Sequence, residues 1–346
     1  MVTNPIDQYF DAMEMMGNNR FEEALEIFLG LKTIVELAPL CYYRVAQVMN
    51  MTGDPEAAYD FYYNAFITMP NIASKIVKSD HSSFKYVFPG KKEEKTSTLC
   101  PLCRREGSAL WCYPLIEANG YNEAFNPVRM WMYCDNCEHI YARDYPENVL
   151  LYNDAPRTVN PALFSPFSNI LSYIVDRKFA PGLTLFDVGV GACEFMLTAR
   201  EMGYETFGID VIESHVEAAK SKFGLNVERA DFNEFVPYGQ WDIITMGSVL
   251  EHVKDPAQAI QKAEAMLSDE GAIWISTPNY RSAFADVAGH NDNKRREQFH
   301  LNYFSKDSLL MLLVQNGLSP VDYRVSPNRN GLMEVIAIKS ARVEEI

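Results

Sequence analysis

The segment LTLFDVGVGACEF, residues 183–195, decides the fold of the C-terminal half of the chain. Its apolar run predicts a buried β-strand, and Gly189 and Gly191 predict a tight turn that leads into a helix. Glycines allow the backbone to approach a ligand closely, and a helix N-terminus offers unpaired N–H groups. The segment therefore predicts a strand–loop–helix that binds a nucleotide-like ligand.

Short apolar runs alternate with helical stretches from about residue 160 onward. This alternation is typical of an α/β fold with a largely parallel sheet. We predict strands at residues 184–188, 205–209, 226–229, 242–246, 272–276, 321–325 and 334–338. A short segment rich in Pro, Asn and Gly separates the last two strands and predicts a hairpin.

A second acid, Asp210, ends the predicted strand that follows Asp187. A carboxylate at this place can accept both hydroxyls of a ribose. A nicotinamide-dependent dehydrogenase would share this arrangement, so the two acids alone do not decide the cofactor.

Several motifs, in order over residues 160–340, resemble those of class I S-adenosylmethionine-dependent methyltransferases. They are DVGVG at 187–191, the acid at 210, ADF at 230–232, WDIITMGSVLEHVKDP at 241–256, ISTPN at 275–279 and HLNYFS at 300–305. The resemblance implies an α/β, Rossmann-like domain of seven strands with S-adenosylmethionine as the cofactor. One position departs from the pattern, because Cys193 stands where many relatives have a third glycine.

The resemblance also assigns cofactor-binding residues. Asp187, Gly189 and Gly191 match the positions that hold the methionine part, and Asp210 matches the ribose-binding acid. Asp231 matches the acid that faces the adenine, and the backbone around Met246 and Gly247 matches a wall of the cofactor site.

Methyl transfer needs a group that removes a proton from the acceptor when necessary. Histidine titrates near the working pH, so we rank His300 first, His252 second and His290 third as candidate catalytic bases. Two of them have a structural alternative: His252 as a helix cap that shapes the pocket, and His290 as a surface residue. The matching motif implies that Glu251 and His252 begin a helix, whereas the helical pattern itself predicts a helix over residues 256–267.

Two cysteine pairs, CPLC at 100–103 and CDNC at 134–137, lie within a predicted module at residues 96–150. Four thiolates in two such pairs suit a closed tetrahedral Zn²⁺ site, so we predict structural zinc on Cys100, Cys103, Cys134 and Cys137. Cys112 and His139 are near enough in sequence to be rival ligands. The charged segment PGKKEEKTS, residues 89–97, predicts a linker before the module.

Residues 1–80 contain a repeat with a period of 34 residues. Ala12, Ala24, Phe28 and Leu31 recur as Ala46, Ala58, Tyr62 and Ala65. The pattern resembles the tetratricopeptide repeat, which implies two helices per unit and a role in packing or in binding a protein partner. An ordinary set of helical hairpins is the alternative. Two units are fewer than the roughly three that stand alone, so we expect them to lean on the rest of the chain.

The composition narrows the possible partners. The chain has 346 residues, 48% of them hydrophobic, and a formal charge of −15. The acidic balance disfavours nucleic acid, and no segment predicts a signal peptide or membrane span, so we expect a cytoplasmic protein. Seven cysteines then favour metal over disulfides.

Three functional hypotheses follow. The first is methylation of a small molecule. The arrangement of a zinc module directly before this type of domain resembles that of bacterial methyltransferases that act on nucleotide-linked sugars, or that belong to natural-product and glycan pathways. The resemblance therefore favours a nucleotide sugar or a glycan or natural-product intermediate as the acceptor. The second is methylation of a protein or RNA delivered by the repeats and module. The third is an inactive scaffold.

A basic cluster lies in the irregular segment at residues 280–300 and has two interpretations. It either meets an anionic substrate or forms a solvated surface, and its members are Arg281, Lys294, Arg295 and Arg296.

Overall fold

A computed structural model describes residues 4–118, 120–147, 157–176, 181–289 and 292–340. The helices are α1 Pro5–Gly17, α2 Phe21–Leu31, α3 Ala38–Met51, α4 Pro55–Thr68, α5 Ala73–Ile76, α6 Phe164–Val175, α7 Glu194–Glu201, α8 Glu213–Phe223, α9 Pro256–Met266, α10 Ala283–Ala288 and α11 Lys306–Gln315. The strands are β1 Lys95–Thr96, β2 Ser108–Pro114, β3 Val128–Cys134, β4 His139–Ala142, β5 Asp144–Tyr145, β6 Thr184–Val188, β7 Glu205–Asp210, β8 Asn226–Arg229, β9 Trp241–Gly247, β10 Leu267–Pro278, β11 Asn302–Tyr303, β12 Leu318–Val325 and β13 Leu332–Lys339.

A seven-stranded sheet forms the C-terminal region, in the order β12-β13-β10-β9-β6-β7-β8. Its strands are parallel except β13, which runs antiparallel to both of its neighbours. The predicted Rossmann-like α/β fold is confirmed, together with all seven strand positions and the final hairpin. The strand order reverses between β6 and β9, and open α/β sheets bind ligands at such a point.

The loop after β6 makes the turn that the sequence predicts. Gly189 has φ +79°, and a Cβ there would lie 3.1 Å from a methyl group of Val249. Cys193 has φ +75°, a conformation that favours glycine, yet α7 begins directly after it. The chain therefore keeps the glycine geometry at a position where it carries a cysteine.

One helix boundary differs from the expectation. Glu251 and His252 lie in a turn, and α9 begins only at Pro256. The side chain of Asp255 accepts the N–H of Gln258 at 3.0 Å and so caps the helix at this later residue. The helix start that the resemblance implies at Glu251 and His252 is therefore wrong, whereas the start at residue 256 predicted from the helical pattern is confirmed.

Helices α1–α4 form two successive hairpins. The residues of the 34-residue repeat are all buried in them, which agrees with the predicted two helices per unit; the resemblance to the tetratricopeptide repeat itself stays a prediction. Helix α3 leans on the following module, since Asn50 donates to the carbonyl of Cys112 at 2.5 Å and accepts its N–H at 3.1 Å. Within the described residues no helix is both long and apolar enough to cross a bilayer.

A second sheet, in the order β11-β4-β3-β2, forms the core of the cysteine module. Its edge strand β11 comes from the C-terminal region, with Asn302 opposite Tyr141 and Tyr303 opposite Ile140. The module and the C-terminal region thus share one sheet, although β11 follows β4 by more than 150 residues in the sequence.

Candidate active site

A cleft of about 1570 Å³ lies at the carboxyl ends of the central strands. Six of the predicted cofactor-binding residues line it: Asp187, Gly189, Gly191, Asp210, Asp231 and Gly247. Met246, the seventh, is fully buried in the core and does not line the cleft. His252 and His300 line the same cleft, whereas His290 lies outside the described residues.

Asp210 is 6% exposed at the end of β7, where its carboxylate organises the glycine loop. Its two oxygens accept the N–H groups of Gly191 at 2.9 Å and Ile212 at 2.8 Å. A carboxylate has about four lone-pair positions, so two remain for hydroxyls of a ligand. His215 Nδ1 lies 3.4 Å from Asp210 Oδ2. This histidine also lines the cleft, and no motif in the sequence analysis marked it.

Asp187 is 5% exposed at the end of β6. It accepts the hydroxyl of Thr245 at 2.7 Å. Burial, with a smaller contribution from Asp210, raises the pKa of Asp187 to about 7. A cationic ligand beside this carboxylate would favour its charged form.

Glu194 is a buried acid of the cleft that sequence reasoning missed. It opens α7, and its Oε1 accepts the N–H of Asn160 at 2.7 Å. An acid in the first turn of a helix is common for electrostatic reasons alone, so the sequence offered no signal that separates this residue from an ordinary helix start.

The two histidines meet across the cleft, with ring centroids 4.8 Å apart. Nδ1 of His300 lies 2.8 Å from the carbonyl of Lys294, and Nδ1 of His252 lies 3.1 Å from the carbonyl of Phe299. A carbonyl only accepts, so in each ring Nδ1 carries the hydrogen and Nε2 bears the lone pair. Burial lowers the pKa of His252 to about 4 and that of His300 well below its ordinary value, so both rings are neutral at pH 7.

Glu251 lies beside both histidines. One carboxylate oxygen of Glu251 and one ring nitrogen of each histidine lie within 4.8 Å of one another. It is 1% exposed and accepts the hydroxyl of Thr277 at 2.9 Å. Burial raises the pKa of Glu251 to about 7. A carboxylate at this place can stabilise an imidazolium that forms on either ring.

The basic cluster of the sequence analysis divides in the structure. Arg281 is half exposed and pairs with Glu138 at 2.9 Å. Arg296 lines the cleft and lies 3.5 Å from Glu117. Lys294 and Arg295 do not line the cleft. Only Arg296 therefore stands where an anionic substrate would meet it.

Lys262, on α9, holds the loop that carries Asp231. Its ammonium donates to the carbonyls of Phe232 at 2.7 Å, Asn233 at 2.6 Å and Phe235 at 2.8 Å. These three bonds use all the donors that a lysine has. They fix the loop that faces the adenine end of the predicted cofactor site.

The four paired cysteines form a second cluster, with their sulfur atoms within 4.8 Å of one another. Cys100 and Cys137 sulfurs are 4.0 Å apart, and Cys103 and Cys134 sulfurs are 3.6 Å apart. Tetrahedral zinc with Zn–S bonds of about 2.3 Å requires sulfurs about 3.8 Å apart. The thiols therefore have the spacing of a four-cysteine metal site.

The two rival ligands stand outside this cluster. The N–H and the thiol of Cys112 both donate hydrogen bonds to the side-chain oxygen of Asn50. Nε2 of His139 lies 3.1 Å from the side-chain oxygen of Asn302. The structure brings together the four cysteines of the two pairs and neither of the alternatives.

Comparison with known proteins identifies the C-terminal region. Residues 161–323 match the family model described as a methyltransferase domain. A ubiquinone biosynthesis O-methyltransferase of Bradyrhizobium diazoefficiens is 26% identical over 156 residues, which are 40% of this chain and 62% of that protein. Its counterpart in Pseudomonas paraeruginosa is 29% identical over 128 residues, 34% of this chain and 55% of that protein. The chain thus spans somewhat more than half the length of these relatives.

One solved structure is similar to part of this chain. It is the 1,6-didemethyltoxoflavin-N1-methyltransferase of Burkholderia thailandensis with bound 1,6-didemethyltoxoflavin and S-adenosylhomocysteine, which superposes with a TM-score of 0.42 at 19% identity. The match covers 53% of this chain and 80% of that one.

Proposed function

We propose, from the premise that residues 161–323 form a methyltransferase domain, that the protein transfers a methyl group from S-adenosylmethionine to a small-molecule acceptor. One observation carries the proposal. The acids Asp187, Asp210 and Asp231 line the same cleft as the neutral imidazoles of His252 and His300. A cofactor half and an acceptor half therefore lie next to each other.

The residues of the cofactor half fit the parts of the proposed cofactor. When bound, S-adenosylmethionine supplies an electrophilic methyl group on a sulfonium. Asp210 offers its remaining lone pairs to the ribose hydroxyls. Asp187 offers a carboxylate to the cationic methionine part, and Gly189 and Gly191 let the loop backbone come close.

His300 is the first candidate for the proton acceptor. Its hydrogen is held on Nδ1 by the carbonyl of Lys294, which leaves the lone pair of Nε2 to accept a proton from the acceptor. Glu251 then stabilises the imidazolium. His252 is the second candidate, with the same tautomer.

The proposed acceptor is a small molecule, and no narrower class is assigned to it. Relatives named as O-methyltransferases favour an oxygen nucleophile. The nucleotide-sugar or glycan class expected from the sequence gains no support from these names. A protein or RNA acceptor has less in its favour, because α3 packs on the cysteine module through Asn50 and the net charge is −15.

The proposal includes structural Zn²⁺ on Cys100, Cys103, Cys134 and Cys137. Four thiolates close the coordination sphere and leave no position for a reacting water. The metal would stabilise the module and take no part in the chemistry.

Calorimetric titration with S-adenosylhomocysteine tests the function through Asp210→Asn. Loss of hydrogen bonds to a charged group costs about 1.5–3 kcal/mol, so we expect affinity to fall about 10- to 100-fold. Asp242→Asn is the matched control, because this carboxylate lies at the opposite end of the sheet and binds Thr184. Equal affinity in wild type and Asp210→Asn would refute the site, and a wild type that binds no cofactor would support the inactive scaffold.

A further inference from the structure

A segment of the C-terminal region, residues 292–302, crosses the cysteine module and carries His300 into the cleft. The module binds the backbone of this segment with buried side chains. The hydroxyl of Tyr113 and the indole N–H of Trp131 both donate to the carbonyl of Arg295, at 2.5 Å and 3.1 Å. The module therefore provides the support on which this part of the cleft is built.

Arg129, on β3 of the module, makes the most specific of these contacts. It is 2% exposed; Nη1 donates to the carbonyl of His300 at 2.8 Å and Nη2 to the carbonyl of Gln298 at 2.7 Å. The rings of Phe125 and Trp131 each lie 5.6 Å from the guanidinium carbon. Within the described residues no carboxylate pairs with this arginine.

A buried arginine without a carboxylate is costly. Taking its charge out of water costs several kcal/mol, which carbonyl oxygens and aromatic faces offset in part. An apolar side chain of similar volume would fill the same space at a lower electrostatic cost. An apolar side chain could not replace one property of the guanidinium, which is its rigid, planar set of N–H donors. Here those donors bind two carbonyls that are two residues apart.

The two carbonyls flank that of Phe299, which orients His252, and they belong to the same segment as the carbonyl that orients His300. Phe299, between Gln298 and His300, accepts the Nδ1 hydrogen of His252 at 3.1 Å. His300 donates its own Nδ1 hydrogen to Lys294 of the same segment. Fixing the backbone at 298 and 300 therefore fixes the acceptor of His252 and the main chain that carries the His300 ring, while the carbonyl of Lys294 sets the rotation of that ring.

We propose that Arg129 is a positioning residue for the methyl transfer: it holds the backbone of residues 298–300 so that Nε2 of His300 faces the cleft. This inference rests on the proposed function. It makes the cysteine module a part of the active site, although none of the module's side chains needs to touch the reacting atoms.

Nuclear magnetic resonance of the full-length chain with ¹⁵N-labelled histidine tests this role without an acceptor, and His300→Gln assigns the signal. The titratable or charged groups around His300 are His252, Glu251, Lys294 and Arg129. In the wild type we expect His300 to show the Nδ1–H tautomer and no titration between about pH 5.5 and 8, since burial lowers its pKa.

Arg129→Met removes both backbone contacts. We expect a second tautomer or a titration midpoint within that range, and about tenfold lower turnover once an acceptor is known, with KM changed less. Arg129→Lys keeps the charge without the fork and should show a smaller change. Arg143→Met is the matched control, because Arg143 lies in the same module but contacts Asp144 and the ring of Tyr59.

Affinity for S-adenosylhomocysteine separates this inference from the proposed function. We expect the two Arg129 variants to bind it within about twofold of the wild type. Folded Arg129→Met and Arg129→Lys with an unchanged His300 signal would overturn the inference, as would an equal change in Arg143→Met. If Arg129→Met does not fold, Arg129→Lys decides. A wild type that binds no cofactor defeats the proposed function, while the His300 spectra still decide the role of Arg129.

Discussion

The two halves of the cleft are built in different ways. The cofactor half takes its residues from consecutive strand ends of one sheet, from Asp187 to Gly247. The acceptor half combines the turn after β9 with residues 296–300 and with residues 118, 120 and 122 of the cysteine module. The first half can therefore vary little without loss of the fold, whereas the second depends on how distant segments pack.

Each half is nevertheless held by one cation on backbone carbonyls. Lys262 binds three carbonyls of the loop after β8, and Arg129 binds two carbonyls of residues 298–300. Both cations bind the backbone of loops, and the side chains that face the predicted ligands belong to other residues. Loss of one of these two supports should therefore leave the other half of the cleft intact.

Cys134→Ser should have the largest effect, because it removes one of four metal ligands and a structural zinc site stabilises a small module by roughly 10 kcal/mol. Metal analysis should fall from about one zinc per chain to near zero, and the His300 signal should change. Cys112→Ser is the control and should keep the metal, since Cys112 lies outside the cluster. A wild type that folds without zinc would contradict the metal site, and an unchanged His300 signal in the zinc-free variant would contradict the coupling of module and acceptor half.

Asp187→Asn should stabilise the fold in a pH-dependent manner. Burial raises the pKa of Asp187 from 3.8 to about 7. Ionising this acid in the folded protein therefore costs free energy, and the stability of the wild type falls as the pH rises from about 4 to 7. This shift corresponds to about 4 kcal/mol above pH 7. Thermal unfolding should show the variant to be more stable at pH 8 and nearly equal to the wild type near pH 4.

The same variant should bind S-adenosylhomocysteine more weakly, because stability and function oppose each other at this residue. A melting temperature that does not depend on this substitution at pH 8 would show that the carboxylate is not buried as described.

Lys262→Met should have the smallest effect and should act on the opposite half from Arg129. Loss of the three carbonyl contacts loosens the loop that faces the adenine, so affinity for S-adenosylhomocysteine should fall about three- to tenfold. The His300 signal should stay as in the wild type. Lys220→Met, on α8 away from this loop, is the control. A changed His300 signal in Lys262→Met would mean that the two halves are not independent.

The sequence predicted the cofactor half because its residues follow short motifs within a regular strand pattern. Asp187 and Asp210 end their strands where the apolar runs end, and a period and a spacing carry that information. The spacing of the cysteines likewise grouped the four thiols. Of the neighbouring pair Met246 and Gly247, only Gly247 lines the cleft, because the side chain of Met246 is buried in the core.

The acceptor half escaped prediction for a physical reason. Nothing local in the sequence brings Arg129 to residues 298 and 300, some 170 positions away, or adds β11 to the sheet of the module. Glu251 and His215 were missed as site residues because burial, which gives them their interest, arises only in the folded chain.

A crystal structure of the zinc-loaded chain with S-adenosylhomocysteine tests the central claim most directly. The account predicts that the ribose hydroxyls bind Asp210 and that the sulfur points to the side of the cleft lined by His252 and His300. A bound cofactor whose sulfur points away from both histidines, or one that leaves Asp210 without contact, would contradict it.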